Sequence, residues 1–301
     1  MTYSIVARDP DTGEFGVAVQ SHFFTVGPIV PWLQAGVGAV ATQSFVEPAY
    51  GLRGLARMAA GEAAPDALAA LVADDEARDV RQVAMVDTAG RVGAHTGAKC
   101  IMEAGHRTGD GFSVQANLMR SGSVPDAMFE AYASSPAPLA ERLLEALVAA
   151  EEEGGDIRGR QSAAIRIVRA QSGDDPWHDV VLDLRVDDHP DPNTELTRLV
   201  RMHRAYAKLG RSEELRVEQK TAEADAEAEA ALALLPESIE LGFWHGVQLA
   251  VDGREAEARP LLDRAYAVND GWRQLVHRLP GAGLLADDEA LIARILGDGE
   301  V

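Results

Sequence analysis

The sequence predicts an α+β protein: two stacked, mostly antiparallel sheets covered by helices on both outer faces, a four-layer αββα sandwich, followed by a small all-α, tetratricopeptide-like C-terminal domain. Three observations carry the prediction. Runs rich in β-branched and aromatic residues come in three blocks, within 2–43, 81–117 and 162–186, and a pair of helical patterns separates each block from the next. Such blocks do not give the strand-helix alternation of a doubly wound parallel sheet and suit stacked sheets with helices outside. From Pro236 onward the pattern is wholly helical, and a chain of 301 residues, 47% hydrophobic, has apolar material for a sizeable core.

Residues 2–8 and 14–21 read as strands joined by the turn residues of 9–13, an antiparallel hairpin. Residues 22–36 carry Pro28, Pro31 and Trp32 and read as a loop, and the small residues of 37–43 read as a third strand packed closely on both faces. From Tyr50 the period becomes helical through Leu52, Leu55, Ala56 and Met58, and 65–72 follows with proline in its first turn. Strands return at 81–87, 91–96 and 112–117. Helices follow over 125–132 and 139–150, the second closed by Gly154 and Gly155, before strands at 162–168 and 180–186. A helix over 194–209 leads out, and the charged, alanine-rich 213–233 reads as a solvated helix or linker. The expected domains are therefore 1–210, a charged helical linker at 211–235, and a helical domain at 236–301. In the last, Leu241, Trp244, His245, Gln248 and Leu249 share one helix face, Gly253 breaks it, and 256–266 form a second helix, like one tetratricopeptide unit.

The formal net charge is −20, which repels phosphate backbones and makes nucleic acid and anionic membranes unsuitable partners. No apolar run approaches the roughly 20 residues that span a bilayer, and the N-terminus lacks the basic start and apolar core of a secretory signal. The single Cys100 closes no intrachain disulfide, so a cytoplasmic protein is expected. Strand edges and a lone helix pair predict a homo-oligomer.

The segments 2–13 with 16–21, 36–43, 105–109, 115–117, 158–162 and 184–191 together resemble the bacterial and archaeal domain of unknown function 1028, over roughly residues 1–210. The resemblance implies membership of the N-terminal nucleophile hydrolase superfamily, with its αββα fold. The tail resembles a helical segment found after that domain and labelled peptidoglycan-binding.

An N-terminal nucleophile enzyme needs Thr, Ser or Cys as first residue, because the free α-amino group, with a reference pKa of about 7.7–8.0, takes the hydroxyl proton near neutral pH. Thr2 follows the initiator Met1, so removal of Met1 exposes base and nucleophile in one residue. Partners are expected at strand ends on the same rim. Ser4 shares the Thr2 face by the two-residue strand period; Ser21 and His22 end the paired strand, Thr42 and Gln43 the third, and Gln115 and Asn117 another. Asn117 and Gln43 are the expected oxyanion donors, since an amide NH2 stabilises a developing alkoxide without transferring a proton. Ser21 completes the catalytic set, with Ser4, His22, Thr42, Gln115 and Arg160 expected around a small amide-like substrate. No lysine precedes Lys99, so Arg160 or Arg8 is left to supply a positive field, and neither shuttles protons. The alternative is a non-catalytic binding or scaffold protein whose helical tail recruits a partner.

No cofactor or metal is expected. Asp187, Asp188, His189 and Asp191 have hard donors, but the neighbouring prolines read as a strand end turning into a helix cap. The glycines of 105–111 precede a strand rather than open a helix and read as a turn, and no Gly-x-Ser-x-Gly elbow or Walker loop is present.

Overall fold

The computed structural model describes residues 2–297. The chain divides into two compact units, one ending at Val200 and the other beginning at Arg201. The first is α+β with two antiparallel sheets and the C-terminal region is helical, as the sequence predicts.

In the first unit the strands are β1 (Thr2–Arg8), β2 (Phe15–Ser21), β3 (Pro31–Gln34), β4 (Gly38–Ser44), β5 (Arg81–Asp87), β6 (Val92–Thr96), β7 (Gly105–Gly109), β8 (Phe112–Ala116), β9 (Ser162–Val168) and β10 (Val180–Val186). Helices α1 (Ala49–Ala59) and α2 (Ala64–Asp74) follow β4, and α3 (Val124–Ser134) and α4 (Leu139–Glu152) follow β8. One sheet has the order β10-β9-β2-β1-β8-β7 and the other β3-β4-β5-β6.

Three apolar layers arise from strand alternation, which sends successive side chains to opposite faces. On β1, Tyr3, Ile5 and Ala7 join Met128, Leu143 and Leu147 of α3 and α4, whereas Val6 faces the other way. Val6, Val17 and Val19 of the six-stranded sheet meet Ala39, Ala41, Ala84 and Val86 of the four-stranded sheet. The outer face of the latter, with Val40, Val83 and Met85, is covered by Leu55, Met58 and Leu68 of α1 and α2. The small side chains of β4 and β5 let the sheets approach.

Two strands depart from the sequence reading. Residues 31–34, expected in a loop, form β3, an edge strand whose proline occupies its first position, where a missing N–H costs nothing. Residues 105–109, expected in a turn, form the edge strand β7, paired with β8 from Gly105↔Ala116 to Gly109↔Phe112; the turn is confined to 110–111. Arg107 keeps β7 in place from outside by pairing with Asp126 and Glu130 of α3.

The turn after β1 is held by Asp9, whose Oδ1 accepts from the Asp11 and Thr12 amides at 2.8 and 2.9 Å and whose Oδ2 pairs with Arg142 of α4. Burial opposes ionisation of Asp9, but the two amides and Arg142 outweigh it and hold the carboxyl below its usual range. A depressed carboxyl stabilises the fold above the unfolded pKa and loses that contribution as pH falls through the folded one. Asp9→Ala is therefore expected to cost about 2–4 kcal/mol at pH 7 by leaving Arg142 unpaired. In urea titrations the gap to the parent protein should shrink below about pH 4.

The second unit begins within α5 (Pro192–Val217) and continues with α6 (Thr221–Leu234), α7 (Ile239–Val251), α8 (Glu255–Val268), α9 (Gly271–Val276) and α10 (Glu289–Leu296). Residues 211–235, read from sequence as a charged helical linker, are mostly helical. Ala224, Ala228 and Ala231 of α6 are buried, and Ala231 packs with Ala205, Leu235 and Leu241. Phe243, Val247, Leu262, Ala265 and Ile295 form the main core, with Trp244 and Trp272 packed on it, their rings 5.2 and 4.7 Å from that of Phe243.

Candidate active site

Along the space between the two sheets, the apolar core gives way at one end to a buried polar cluster. Alternation places Thr2 and Ser4 of β1, Ser21 of β2, Gln43 of β4, Gln82 of β5, and Ser113 and Gln115 of β8, with Asn117 beyond its end, on the inner faces. All are at most 4% exposed. Buried polar groups cost free energy unless paired, and these pair with one another.

The Thr2 hydroxyl donates to Ser21 Oγ at 3.0 Å. The Thr2 carbonyl accepts from Gln43 Nε2 at 3.2 Å and Asn117 Nδ2 at 3.3 Å, in addition to the backbone bridge between Thr2 and Asn117. Both carboxamides also donate to Gln82 Oε1, at 2.7 Å from Gln43 and 2.8 Å from Asn117. Gln82 Nε2 in turn donates to Thr96 Oγ1 at 3.0 Å and to the Gly105 and Ala116 carbonyls. Ser4 donates to Gln43 Oε1 at 2.7 Å and accepts from Gln115 Nε2 at 2.6 Å. The result is a fixed carboxamide scaffold around the first residue of β1.

Thr2, Ser21, Gln43 and Ser44 line a small pocket at this end, together with Phe23, Val26, Ile29, Val30 and Val46. Ser44 has φ 70°, in the left-handed region. Strand alternation alone turns a residue after Gln43 to the outer face; this backbone conformation accompanies its return to the pocket. Its Oγ is shielded from solvent and has no hydrogen-bond partner among the described residues. In the segment that carries two of these residues, the Phe23 carbonyl and the Val26 amide are tied to Ser162 Oγ at 2.6 and 3.1 Å, and Thr25, also at positive φ, is tied to Asp187.

Thus Thr2, Ser4, Ser21, Gln43, Gln115 and Asn117 come together, but only Thr2, Ser21 and Gln43 of these reach the pocket. Thr42 faces away from Gln43, with its hydroxyl donating to the Glu47 carbonyl at 3.2 Å. The His22 amide is 3.3 Å from Asp156 Oδ2, and its Nδ1 is buried with no partner among the described residues. Arg160 binds Glu151 at 3.3 Å and Asp191 at 3.0 Å. Glu151 also accepts from Tyr3 OH at 2.7 Å, so Arg160 belongs to the α4 side of the six-stranded sheet, opposite the Thr2 hydroxyl. Burial, then the Glu151 charge, push the Tyr3 hydroxyl well above its usual pKa. Arg8 ends β1 six residues from Thr2, roughly 20 Å away at strand rise. Retention or removal of Met1 lies outside the described residues.

Gln82, Ser44 and Asp156 escaped the sequence reading. Gln82 is the only polar side chain between Arg81 and Asp87, which is the signal that marks it. Among the described residues no group of three or more His, Cys, Asp or Glu is placed to hold a metal ion. Asp191 instead accepts from Thr194 at 2.9 Å at the start of α5, and Asp187 and Asp188 accept from Thr25 and Gln161. No described helix is long and apolar enough to cross a membrane.

The model of a family of unknown function, DUF1028, matches residues 2–196, which include every strand of both sheets. The chain belongs to the DUF1028 family. A crystal structure of protein SPO2555 from Silicibacter pomeroyi, described as matching the same family model, is similar to this DUF1028 chain at 30% identity and a TM-score of 0.60. The match covers 66% of this chain and 87% of that one. No curated protein matches it. The Thr2 cluster lies wholly inside the family segment.

Proposed function

We propose that this DUF1028 chain is an N-terminal nucleophile hydrolase with the αββα fold of that superfamily, cleaving a small amide or peptide-like bond after Met1 is removed. The observation that carries the reading is the Thr2 hydroxyl, held at 3.0 Å by Ser21 on the wall of a pocket at the end of a central strand.

In this reading the liberated Thr2 amine takes the hydroxyl proton as Oγ1 attacks the carbonyl carbon, and the C=O electron pair moves onto oxygen. The tetrahedral intermediate collapses, the C–N bond breaks, and the ammonium returns its proton to the leaving nitrogen. Water then attacks the ester, with the same amine as base, to release a carboxylic acid and restore Thr2. Gln43 is assigned as oxyanion donor because it lines the pocket, and its longest bond, to the Gln115 carbonyl at 3.3 Å, is the one most readily exchanged. Asn117 is assigned a positioning role through the Thr2 carbonyl.

Selective acetylation of the N-terminal amine tests the mechanism. It is expected to abolish turnover of fluorogenic acyl amides, and retention of more than a tenth of the rate contradicts it. Ser21→Ala is expected to lower turnover about 10- to 100-fold with under 1.5 kcal/mol lost in urea denaturation, since one hydrogen bond orienting the nucleophile is removed.

A second reading is a non-catalytic binding protein. The internal engagement of both carboxamides favours it, since an oxyanion would gain either NH2 only by displacing a bond already made within the cluster. It predicts that Thr2→Ala leaves ligand affinity unchanged. We also propose a cytoplasmic homo-oligomer, on the exposed pattern of edge strand β10, which light scattering over a concentration series checks. The tetratricopeptide-like reading of the tail rests on the α7 and α8 pair. Packing of Trp244 and Trp272 in the core speaks against those rings as a glycan platform.

A further inference from the structure

The walls of the Thr2 pocket specify what lies beside the scissile bond. Beside Thr2, Ser21, Gln43 and Ser44 they are built from Phe23, Val26, Ile29, Val30 and Val46. Among the described residues no charged side chain lines it. Its remaining unpartnered polar atom among the described residues is the Ser44 hydroxyl, since Thr2 and Gln43 are hydrogen-bonded within the cluster. With the Thr2 amine in the neutral form that acts as base, a lone hydroxyl pairs with a neutral polar atom but leaves a carboxylate or ammonium without a counter-charge, and an unpaired charge moved out of water is strongly disfavoured.

Size narrows the choice. The pocket offers atom centres about 60 Å³. One water-sized atom takes roughly 10–15 Å³ on that measure, so about four to six such atoms fit, or about three to four of the bulkier carbon groups. The walls are firm. The loop bearing Phe23 and Val26 is fixed by Ser162, and Val26 and Val30 are 2% and 3% exposed. Closely packed walls do not expand without strain, so atoms beyond that volume extend toward Phe23, which is half exposed.

We infer that the pocket takes a short, uncharged aliphatic acyl chain of about three to four carbons, making the substrate an amide of a small aliphatic acid. The inference deepens the hydrolase reading and rests on it for the placement of the scissile carbonyl at Thr2. Each methylene transferred from water into the pocket strengthens binding roughly fourfold until the space is filled, after which further length weakens it.

Alkylboronic acids, whose boron reversibly accepts a hydroxyl oxygen, test this by calorimetry on the full chain with Met1 absent by mass. Isobutylboronic acid is expected to bind at least tenfold more tightly than n-heptyl- and 2-carboxyethylboronic acids. Val46→Leu, which narrows the pocket, is expected to weaken isobutyl binding at least fivefold. Equal or tighter binding of the long or the charged compound, binding of none of the three, or indifference to Val46→Leu overturns the inference. The Thr2→Ala protein separates the two levels: affinities equal to those of the parent remove Thr2 as nucleophile, whereas the ranking among chains in the parent decides the pocket.

Discussion

Thr2→Ala is expected to lower amide turnover at least about 10⁴-fold while leaving the fold intact. Loss of a nucleophile in an acyl-transfer site costs up to about 10⁶-fold, and the alanine variant keeps the α-amine but has no hydroxyl for it to activate. The structural loss is small: a single neutral hydrogen bond, Thr2 Oγ1 to Ser21 Oγ at 3.0 Å, worth about 1 kcal/mol net. The backbone bridge to Asn117 does not involve the side chain and persists. Circular dichroism and urea midpoints should therefore lie close to those of the parent, and Thr2→Ser should recover much of the rate. An alanine variant with more than a hundredth of parental turnover contradicts the nucleophile assignment.

Gln82→Leu is expected to be the most destabilising single change in the polar cluster. The substitution roughly preserves volume but removes the acceptor shared by Gln43 and Asn117 at 2.7 and 2.8 Å, and the donor that closes Thr96, Gly105 and Ala116. Buried donors left without an acceptor cost about 1–3 kcal/mol each, so a loss of about 2–4 kcal/mol is expected. At 2–4 °C per kcal/mol for a unit of about 200 residues, that is a fall of about 5–15 °C in melting temperature. Turnover should fall as well, because the carboxamides that position the Thr2 carbonyl lose their common anchor. A change below 1 kcal/mol in urea denaturation would mean that water replaces Gln82 at no cost, and that the cluster does not set the geometry of Thr2.

The hairpin of β1 and β2 and the order of strand blocks and helix pairs were legible because alternating valines, a Gly/Asp/Pro turn and a change of period are local signals. Edge strands β3 and β7 were not: two prolines mask the first, and the second, rich in glycine and exposed side chains, buries too little for a hydrophobic pattern. At the site, Thr2, Ser21, Gln43 and Asn117 could be found from strand ends and the two-residue period. The same period places Thr42 opposite Gln43, on the face turned toward α1. Nothing local separates Arg160, drawn to Glu151 and Asp191, from a residue at the pocket. Ser44 depends on a single backbone torsion, and Gln82 on partners more than 30 residues away in sequence, Gln43 on the neighbouring strand and Asn117 beside the other sheet.

The N-terminal chemistry is tested most directly by mass spectrometry of catalytically active protein treated with an acylating electrophile such as a β-lactone. The predicted result is an intact mass that lacks Met1, with one adduct that maps to Thr2. Active material that keeps Met1, or an adduct on any other residue with Thr2 unmodified, contradicts it.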